Sequence, residues 1–228
     1  MGAWPSRPHV AAPRESGGRS TAAFVRHAGP IRSGLETIDG LTVTSLHATV
    51  VDVASTVGFS HGVVLADAAL RRNEHPVLTL PRTSIDRDLL RRELLRVPAN
   101  HGASRAGRVI EFADGRADRP GESMSRVSMH LAGVTAPEIQ VAMLGASGLE
   151  YTVDFWWEEF NLIGEFDGKY KYTDPQFMSG RTAQQVLYDE KVREDDLRAA
   201  SHGFSRWPWN VAVSPTLLQS HLARAGVR

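Results

Sequence analysis

The sequence predicts an α/β (α+β) fold in which a mixed β-sheet flanked by helices follows a small, mostly helical region with short strands. Three observations predict this fold. Hydrophobic residues make up 42% of the 228 residues, which is enough to bury a core. Apolar residues at helical spacing dominate the first half of the chain. The second half has the order helix, three strands, helix, strand, helix, which is typical of a mixed sheet covered by helices.

This change of pattern predicts two domains, an N-terminal region at 1–115 and a C-terminal domain at 116–228. Proline and glycine are frequent up to residue 40, so we expect a loop-rich start with short strands. The strands predicted in the first region are 9–12, 22–27 and 41–44. The helices predicted there are 47–56, 61–72, 84–96 and 104–112. The helix at 84–96 has the clearest amphipathic pattern, with acids in its first turn and arginines later, as the helix dipole favours.

The C-terminal domain is predicted to form a sheet and its covering helices. Its predicted helices are 122–131, 183–200 and 215–225. Its predicted strands are 139–144, 151–155, 161–167 and 204–213, with a hairpin turn at 145–148. On the long helix we expect Val186, Leu187 and Leu197 to form the buried edge.

Charge is unevenly distributed although the formal net charge is zero. Nine arginines and four acidic residues lie between Arg71 and Arg108, whereas seven carboxylates and two lysines lie between Glu150 and Pro175. A basic surface beside a carboxylate-rich cleft is what a metal-using phosphodiesterase requires, because phosphates bind cations and metals bind hard oxygens. The alternative is two ordinary solvated faces, and charge alone favours that alternative.

The candidate chemistry lies on two predicted neighbouring strands. Asp154 interrupts an apolar strand, where a carboxylate is costly unless it is paired, protonated or bound to a metal. On the next strand, alternation places Glu165, Asp167, Lys169 and Lys171 on one face. Asp154 and the pair of acids would then form a hard-oxygen site suited to Mg²⁺ or Mn²⁺. The alternative is that the acids flank a turn and form salt bridges with the two lysines.

Other classes of function find no support in the sequence. The sequence has no cysteine, which excludes disulfides and thiolate chemistry. It also has no HExxH pair, no phosphate-binding glycine loop and no Gly-x-Ser-x-Gly elbow. The tryptophans could stack on bases, but we expect at least two of Trp156, Trp157, Trp207 and Trp209 to be core residues. With no long apolar run and no signal-like start, we expect a cytoplasmic protein that is not membrane-bound.

Four segments of the C-terminal half form a series. They are Pro120-Gly121-Glu122-Ser123, Val153-Asp154-Phe155, the run at 164–172 and the run at 190–195 followed by Arg206-Trp207. Together they resemble actinobacterial proteins with a Vsr-like endonuclease domain of the PD-(D/E)XK restriction-endonuclease-like class. The runs at 39–44 and 49–69 resemble the segment that follows an AbiEi-antitoxin-like winged helix in such proteins, with the winged helix itself missing or truncated here.

The resemblance implies a role for each matching position. Glu122 would be an outer acid, Asp154 the central metal ligand, and Glu165 and Asp167 further metal or water ligands. Lys169 or Lys171 would be the lysine of the class. Arg193 and Arg206 would contact phosphate or hold the acids in place. Asp167-Gly168-Lys169 matches the class motif, yet Glu165 is an alternative second acid, and the histidines of the Vsr branch are absent.

These expectations lead to one function and two alternatives. The main hypothesis is a Mg²⁺-dependent DNA endonuclease, in a defence or toxin-antitoxin-like context, with Arg91 and Arg92 of the basic helix also binding DNA. The first alternative is a non-catalytic DNA-binding regulator, antitoxin-like, that keeps the nuclease scaffold. The second is a protein-interaction module that forms a homodimer. A partner protein encoded in the same operon is a further expectation.

Overall fold

The computed structural model describes residues 6–29, 34–71, 85–168, 182–200 and 202–228. Its N-terminal part begins with two small sheets. Strands β1 (His9–Ala12) and β2 (Val25–Ala28) pair in parallel, and β3 (Leu35–Ile38) and β4 (Leu41–Thr44) form an antiparallel hairpin. Strand β3 was not predicted, although the Asp39-Gly40 turn that follows it, with φ of 50° and 79°, is a strong local hairpin signal.

Four helices follow and enclose the first hydrophobic core. They are α1 (Leu46–Thr56), α2 (Phe59–Arg71), α3 (Arg87–Leu94) and α4 (Ala103–Phe112), which confirms the predicted helical region. Side chains of Ser45 and Asp86 accept a backbone N–H at the starts of α1 and α3, as N-cap residues do. Val127 of the next helix belongs to this same core, so the helical region packs directly on the C-terminal half.

The C-terminal half contains a four-stranded mixed sheet. Helix α5 (Pro120–Ala132) precedes β5 (Glu138–Leu144), β6 (Glu150–Trp157) and β7 (Leu162–Asp167), then α6 (Ala183–Ala199), β8 (Gly203–Pro208), α7 (Trp209–Ala212) and α8 (Pro215–Arg224). The strand order is β5-β6-β7-β8, with β7 and β8 parallel and the other pairs antiparallel. The predicted mixed α/β fold is therefore confirmed.

Both faces of the sheet are covered. On one face, Phe155, Trp157 and Trp207 pack with residues of α5 and α8. On the other face, Val153 and Ile163 pack with Leu197 of α6. The indole N–H groups of Trp157 and Trp207 each donate a hydrogen bond of 2.8 Å, which satisfies their one polar atom. The expectation that at least two tryptophans are core residues is confirmed.

Helix α5 approaches β7 closely at Gly121. A Cβ atom at this position would overlap the ring of Phe166, so only glycine allows the helix to lie this near the strand. The close approach places the first turn of α5, including Glu122, directly beside the sheet.

Two local predictions were wrong. The strand predicted at 204–213 ends at Pro208, and Trp209–Ala212 forms a short helix, because proline has no N–H to extend the ladder. Leu187 is 50% exposed and is not part of a buried edge, whereas Leu197 is buried as expected. The side chain of Val186 lies outside the described part of the chain.

None of the helices in the described ranges has the length and hydropathy that crossing a bilayer requires.

Candidate functional site

Along β5 and β6, the buried side chains switch from the α5 side to the α6 side of the sheet at the same level. Ile139 pairs with Phe155 and both belong to the core beneath α5, but Val141 pairs with Val153 and packs towards α6. Residues two apart in a regular strand share a face. The alternation of both strands is therefore interrupted at the intervening position, which we call the twist. That position is Gln140, with φ of 53°, opposite Asp154.

The twist directs Asp154 towards its neighbouring strand. Its Oδ2 accepts the backbone N–H of Phe166 at 2.9 Å. The β6–β7 register ends where Phe155 pairs with Gly164, so Asp154 and Glu165 are the next residues along their strands. The two strands that carry the predicted acids are therefore neighbours, as the sequence indicated.

Glu122 is the second acid of this site. It is 3% exposed, and its Oε2 accepts hydrogen bonds from the N–H of Asp118 and from Nε2 of Gln140, both at 2.8 Å. Burial, and after it the negative charge of Asp154, raise the pKa of Glu122 to about 8. The two carboxyl groups therefore lie close enough to repel each other when both are charged.

Glu165 lies on the same strand but has different partners. Its carboxylate is 2.6 Å from Nη1 of Arg193 on α6, and its other oxygen accepts from Nη2 of Arg206 on β8 at 3.0 Å. Burial lowers the pKa of Arg206, but the surrounding carboxylates, Glu165 first among them, raise it more and leave it above its usual value. Arg193 also donates to the carbonyl of Thr152 at 2.6 Å. Both arginines thus hold Glu165 in place.

Asp167 ends β7, where it pairs in register with Pro208. Its charge contributes to the raised pKa of Arg206, which places it near the arginine that holds Glu165. The predicted lysines Lys169 and Lys171 lie outside the described residues, and so does the alternative in which they form salt bridges with these acids.

The acid pair Glu122 and Asp154 supplies the oxygen ligands that Mg²⁺ prefers. Two repelling carboxylates next to each other are stabilised by a divalent cation, and Mg²⁺ often uses one or two carboxylates and keeps several waters. In the described part of the chain, no three His, Asp or Glu side chains converge as a complete ligand set. Glu122 and Asp154 could therefore supply two of the oxygen ligands of a hard cation, and water would have to complete its shell.

Of the predicted arginines of the basic helix, Arg91 is paired with acids of the helical region. Arg91 on α3 donates to Asp88 at 3.0 Å and to Glu111 at 2.8 and 2.5 Å, so these acids already neutralise its charge. Arg92 on the same helix is exposed.

Two residues of the site were missed from the sequence. Gln140 stands between Ile139 and Val141, and this is the same signal, a polar residue inside an apolar strand, that identified Asp154. Asp118 precedes α5 and donates its backbone N–H to Glu122. No sequence pattern indicates a contact of this kind.

The fold and the site together define a mixed α/β protein with an acid pair at the twist of its sheet. The chain is similar to two proteins of Mycobacterium tuberculosis, the uncharacterized protein Rv2248 of strain ATCC 25618 / H37Rv and the uncharacterized protein MT2308 of strain CDC 1551 / Oshkosh. With each it is 29% identical over 133 residues, which is 58% of this chain and 45% of the relative. The chain thus spans less than half the length of these relatives. No family model matches the chain, and no solved structure matches it.

Proposed function

We propose that this protein is a Mg²⁺-dependent DNA endonuclease whose site is built on Glu122 and Asp154. One observation carries the proposal. A buried glutamate with a raised pKa and an aspartate from another element meet at a twist in the sheet. They repel each other once both are charged, which costs stability, and a divalent cation would relieve that repulsion. Proteins retain such costly acid pairs at functional sites more often than elsewhere. The motif resemblance to Vsr-like endonuclease domains supports the same proposal.

Each residue has a distinct role in this proposal. Asp154 is the main ligand, oriented by the N–H of Phe166, and Glu122 is the outer acid, oriented by Gln140 and Asp118. When bound, Mg²⁺ would polarise the scissile phosphate and lower the pKa of a bound water. Glu165, held by Arg193 and Arg206, keeps β7 aligned with β8, so we assign it a positioning role.

The test is nicking of supercoiled plasmid DNA with and without Mg²⁺. Asp154→Asn keeps an oxygen that accepts the Phe166 N–H but removes the charge, so the fold should persist while metal-stimulated nicking is lost. Glu138→Gln is the matched control, because it neutralises an exposed acid at the start of β5. Nicking by Asp154→Asn at the rate of the unaltered protein would overturn the proposal.

A second candidate function is DNA binding without cleavage, as in an antitoxin-like regulator. The observation that favours it is that both oxygens of Glu165 face arginines, which leaves this acid engaged and not available to a metal. Calorimetry separates the two candidates. Binding of duplex DNA without binding of Mg²⁺ and without cleavage would favour the regulator.

The setting of the activity is part of the same proposal. A cytoplasmic location, DNA as substrate, a homodimer and a partner protein from the same operon all accord with a defence or toxin-antitoxin-like role. The support for this setting is the resemblance of the segments at 39–44 and 49–69 to proteins with an AbiEi-like region.

A further inference from the structure

Strands β1 and β2 bring two histidines together on one face of the small parallel sheet. The register pairs His9 with Val25 and Ala11 with His27. Paired side chains lie on the same face, and so do side chains two apart along a strand, so both imidazole rings share that face. The residue paired with His27 is an alanine, whose short side chain leaves room for the ring of His9 to lean along the strand.

The two imidazole rings are in direct contact. Nδ1 of His9 lies 2.9 Å from Nε2 of His27, and the ring centroids are 4.9 Å apart with the ring planes tilted by 34°. A neutral imidazole carries one N–H and one lone pair, so one of these nitrogens donates to the other. The two nitrogens therefore face the same small space between the rings.

This space is open to an ion from solvent, because both histidine side chains are exposed. The arginines nearest to them in the chain have other partners. Nη2 of Arg26 donates to the carbonyl of Pro13 at 2.5 Å, and Nη1 of Arg7 donates to the carbonyl of Thr21 at 2.6 Å. By strand alternation Arg26 also lies on the opposite face of β2 from the histidines.

We propose that His9 and His27 together bind a divalent transition-metal ion of the Zn²⁺ type. Imidazole nitrogen is a preferred ligand of Zn²⁺, Ni²⁺ and Cu²⁺, whereas Mg²⁺ prefers oxygen. With tetrahedral angles and Zn–N bonds of about 2.0–2.1 Å, two nitrogens on one ion lie about 3.3 Å apart. The nitrogens, now 2.9 Å apart, need to separate by only about 0.4 Å to reach that spacing.

Binding changes the tautomer of one ring and releases no proton. The proton that lies between the rings moves to the outer nitrogen of the same imidazole, which leaves a lone pair on each inner nitrogen for the ion. No third His, Asp or Glu converges with the pair among the residues that the structure describes, so water fills the remaining positions. The inference goes beyond the proposed function and does not depend on it, because it uses neither Glu122 nor Asp154.

The experiment is a calorimetric titration of the full chain with Zn²⁺ in excess Mg²⁺, which occupies hard-oxygen ligands and does not compete for imidazole. In a two-ligand site the second imidazole binds intramolecularly, which raises the affinity on the order of a hundredfold over a single imidazole. We expect His9→Gln and His27→Gln each to lower the affinity by about that factor. The double variant should lower it little further. His61→Gln, which removes an exposed histidine of α2, is the control and should keep the original affinity.

NMR of the imidazole ring nitrogens locates the bound ion. Zn²⁺ should shift the ring signals of His9 and His27 together and leave those of His61 in place. In His27→Gln, the His9 signals should shift only at a Zn²⁺ concentration about a hundredfold higher.

Three results would overturn the shared site. The first is a pair of single variants that keep the affinity of the unaltered protein, and the second is Zn²⁺ binding that persists unchanged in the double variant. The third is an unaltered protein whose histidine ring signals do not move with Zn²⁺, in which case the contact is only a hydrogen bond between neutral imidazoles. Each of these results leaves the proposed function standing, because plasmid nicking tests a different set of ligands.

Discussion

Glu122 keeps its proton at neutral pH because burial and the negative charge of Asp154 disfavour the ionised carboxylate more than its two hydrogen-bond donors favour it. Burial and the charge of Asp154 place its pKa at about 8. Glu165, nearly as buried at 5% exposure, instead faces two arginines. Two glutamates at similar depth are therefore suited to different tasks, one to hold a proton and the other to hold strands together.

The raised pKa of Glu122 predicts how stability depends on pH. The folded protein retains this proton up to a pKa of about 8, whereas the unfolded chain loses it near the ordinary value of 4.5. Between these values the folded state binds more protons, so the free energy of unfolding falls as pH rises, by up to about 1.4 kcal/mol per pH unit. Above pH 8 the decline should level off.

The measurement is urea unfolding between pH 5 and 9. Glu122→Gln cannot ionise, so its free energy of unfolding should vary less with pH over this range. Equal pH slopes for the two proteins would show that Glu122 keeps an ordinary pKa.

The contrast between Glu165 and Asp154 gives a second prediction. Glu165→Gln removes the carboxylate that Arg193 and Arg206 share and leaves Arg206 with Glu194 and Glu190, at 3.3 and 3.9 Å. It should lower the free energy of unfolding by about 2 kcal/mol, the range for hydrogen bonds to charged groups. Asp154→Asn retains its accepting oxygen and should cost less than half as much. Chemical denaturation of both variants tests this order, and a larger loss for Asp154→Asn would contradict it.

Among the elements, α5 determines the geometry of the site. The helix begins with Pro120 and ends before Gly133, which has a left-handed backbone conformation. Because Gly121 has no side chain, the helix can approach β7 closely. Glu122 follows directly and so reaches the twist at Gln140. The position of this helix explains why an acid in its first turn lies near enough to an acid on β6 to be influenced by its charge.

The close packing of α5 on β7 can be tested with Gly121→Ala. The added methyl group would overlap Phe166, and overpacking of this kind costs about 1–3 kcal/mol. Gly107→Ala on α4 is the matched control, because its Cβ would meet only Leu94 at 3.5 Å, an ordinary contact. Since alanine favours helix over glycine, Gly107→Ala should be neutral or stabilising.

Thermal unfolding of both alanine variants gives the comparison. The double variant Gly121→Ala with Phe166→Leu should lose less stability than the sum of the two single changes, because leucine vacates the space of the ring. Strict additivity would show that the two positions do not touch.

At the scale of the whole molecule, α5 joins two hydrophobic cores. Val127 packs into the helical core of α1 to α4, while Met129 packs into the core under the sheet. The buried pair of Asp67 and Arg126 adds a polar link, and Arg126 also donates to the carbonyl of Phe112 at 2.9 Å. The division at 115/116 stays a prediction, and if it holds, the two parts share α5 as their common surface.

This shared helix predicts that both halves lose stability together. Asp67→Asn leaves Arg126 buried with an uncompensated charge, and breaking a buried pair in this way costs about 3–5 kcal/mol. Amide hydrogen exchange should therefore accelerate in both α1 and β6. Faster exchange confined to α1 would instead show that the sheet is stable without the helical region.

The sequence alone determined the kind and order of most elements, because helical and strand periodicity are local properties. It also singled out Asp154, since a carboxylate within Val153-Asp154-Phe155 is visible without any fold. The sequence did not predict the short helix at Trp209–Ala212, because a short run of this kind is equally compatible with a strand.

The contacts of each acid depend on how distant parts of the chain pack. Alternation along one strand grouped Glu165 with Asp167, but the partners of Glu165 come from Arg193 and Arg206, which lie 28 and 41 positions away in the chain. The pairing of Glu122 with Asp154 likewise depends on how closely a helix packs on a strand. Charge and burial act through space, so they depend on how distant segments of the chain pack. The order of neighbouring residues in the sequence does not show these effects.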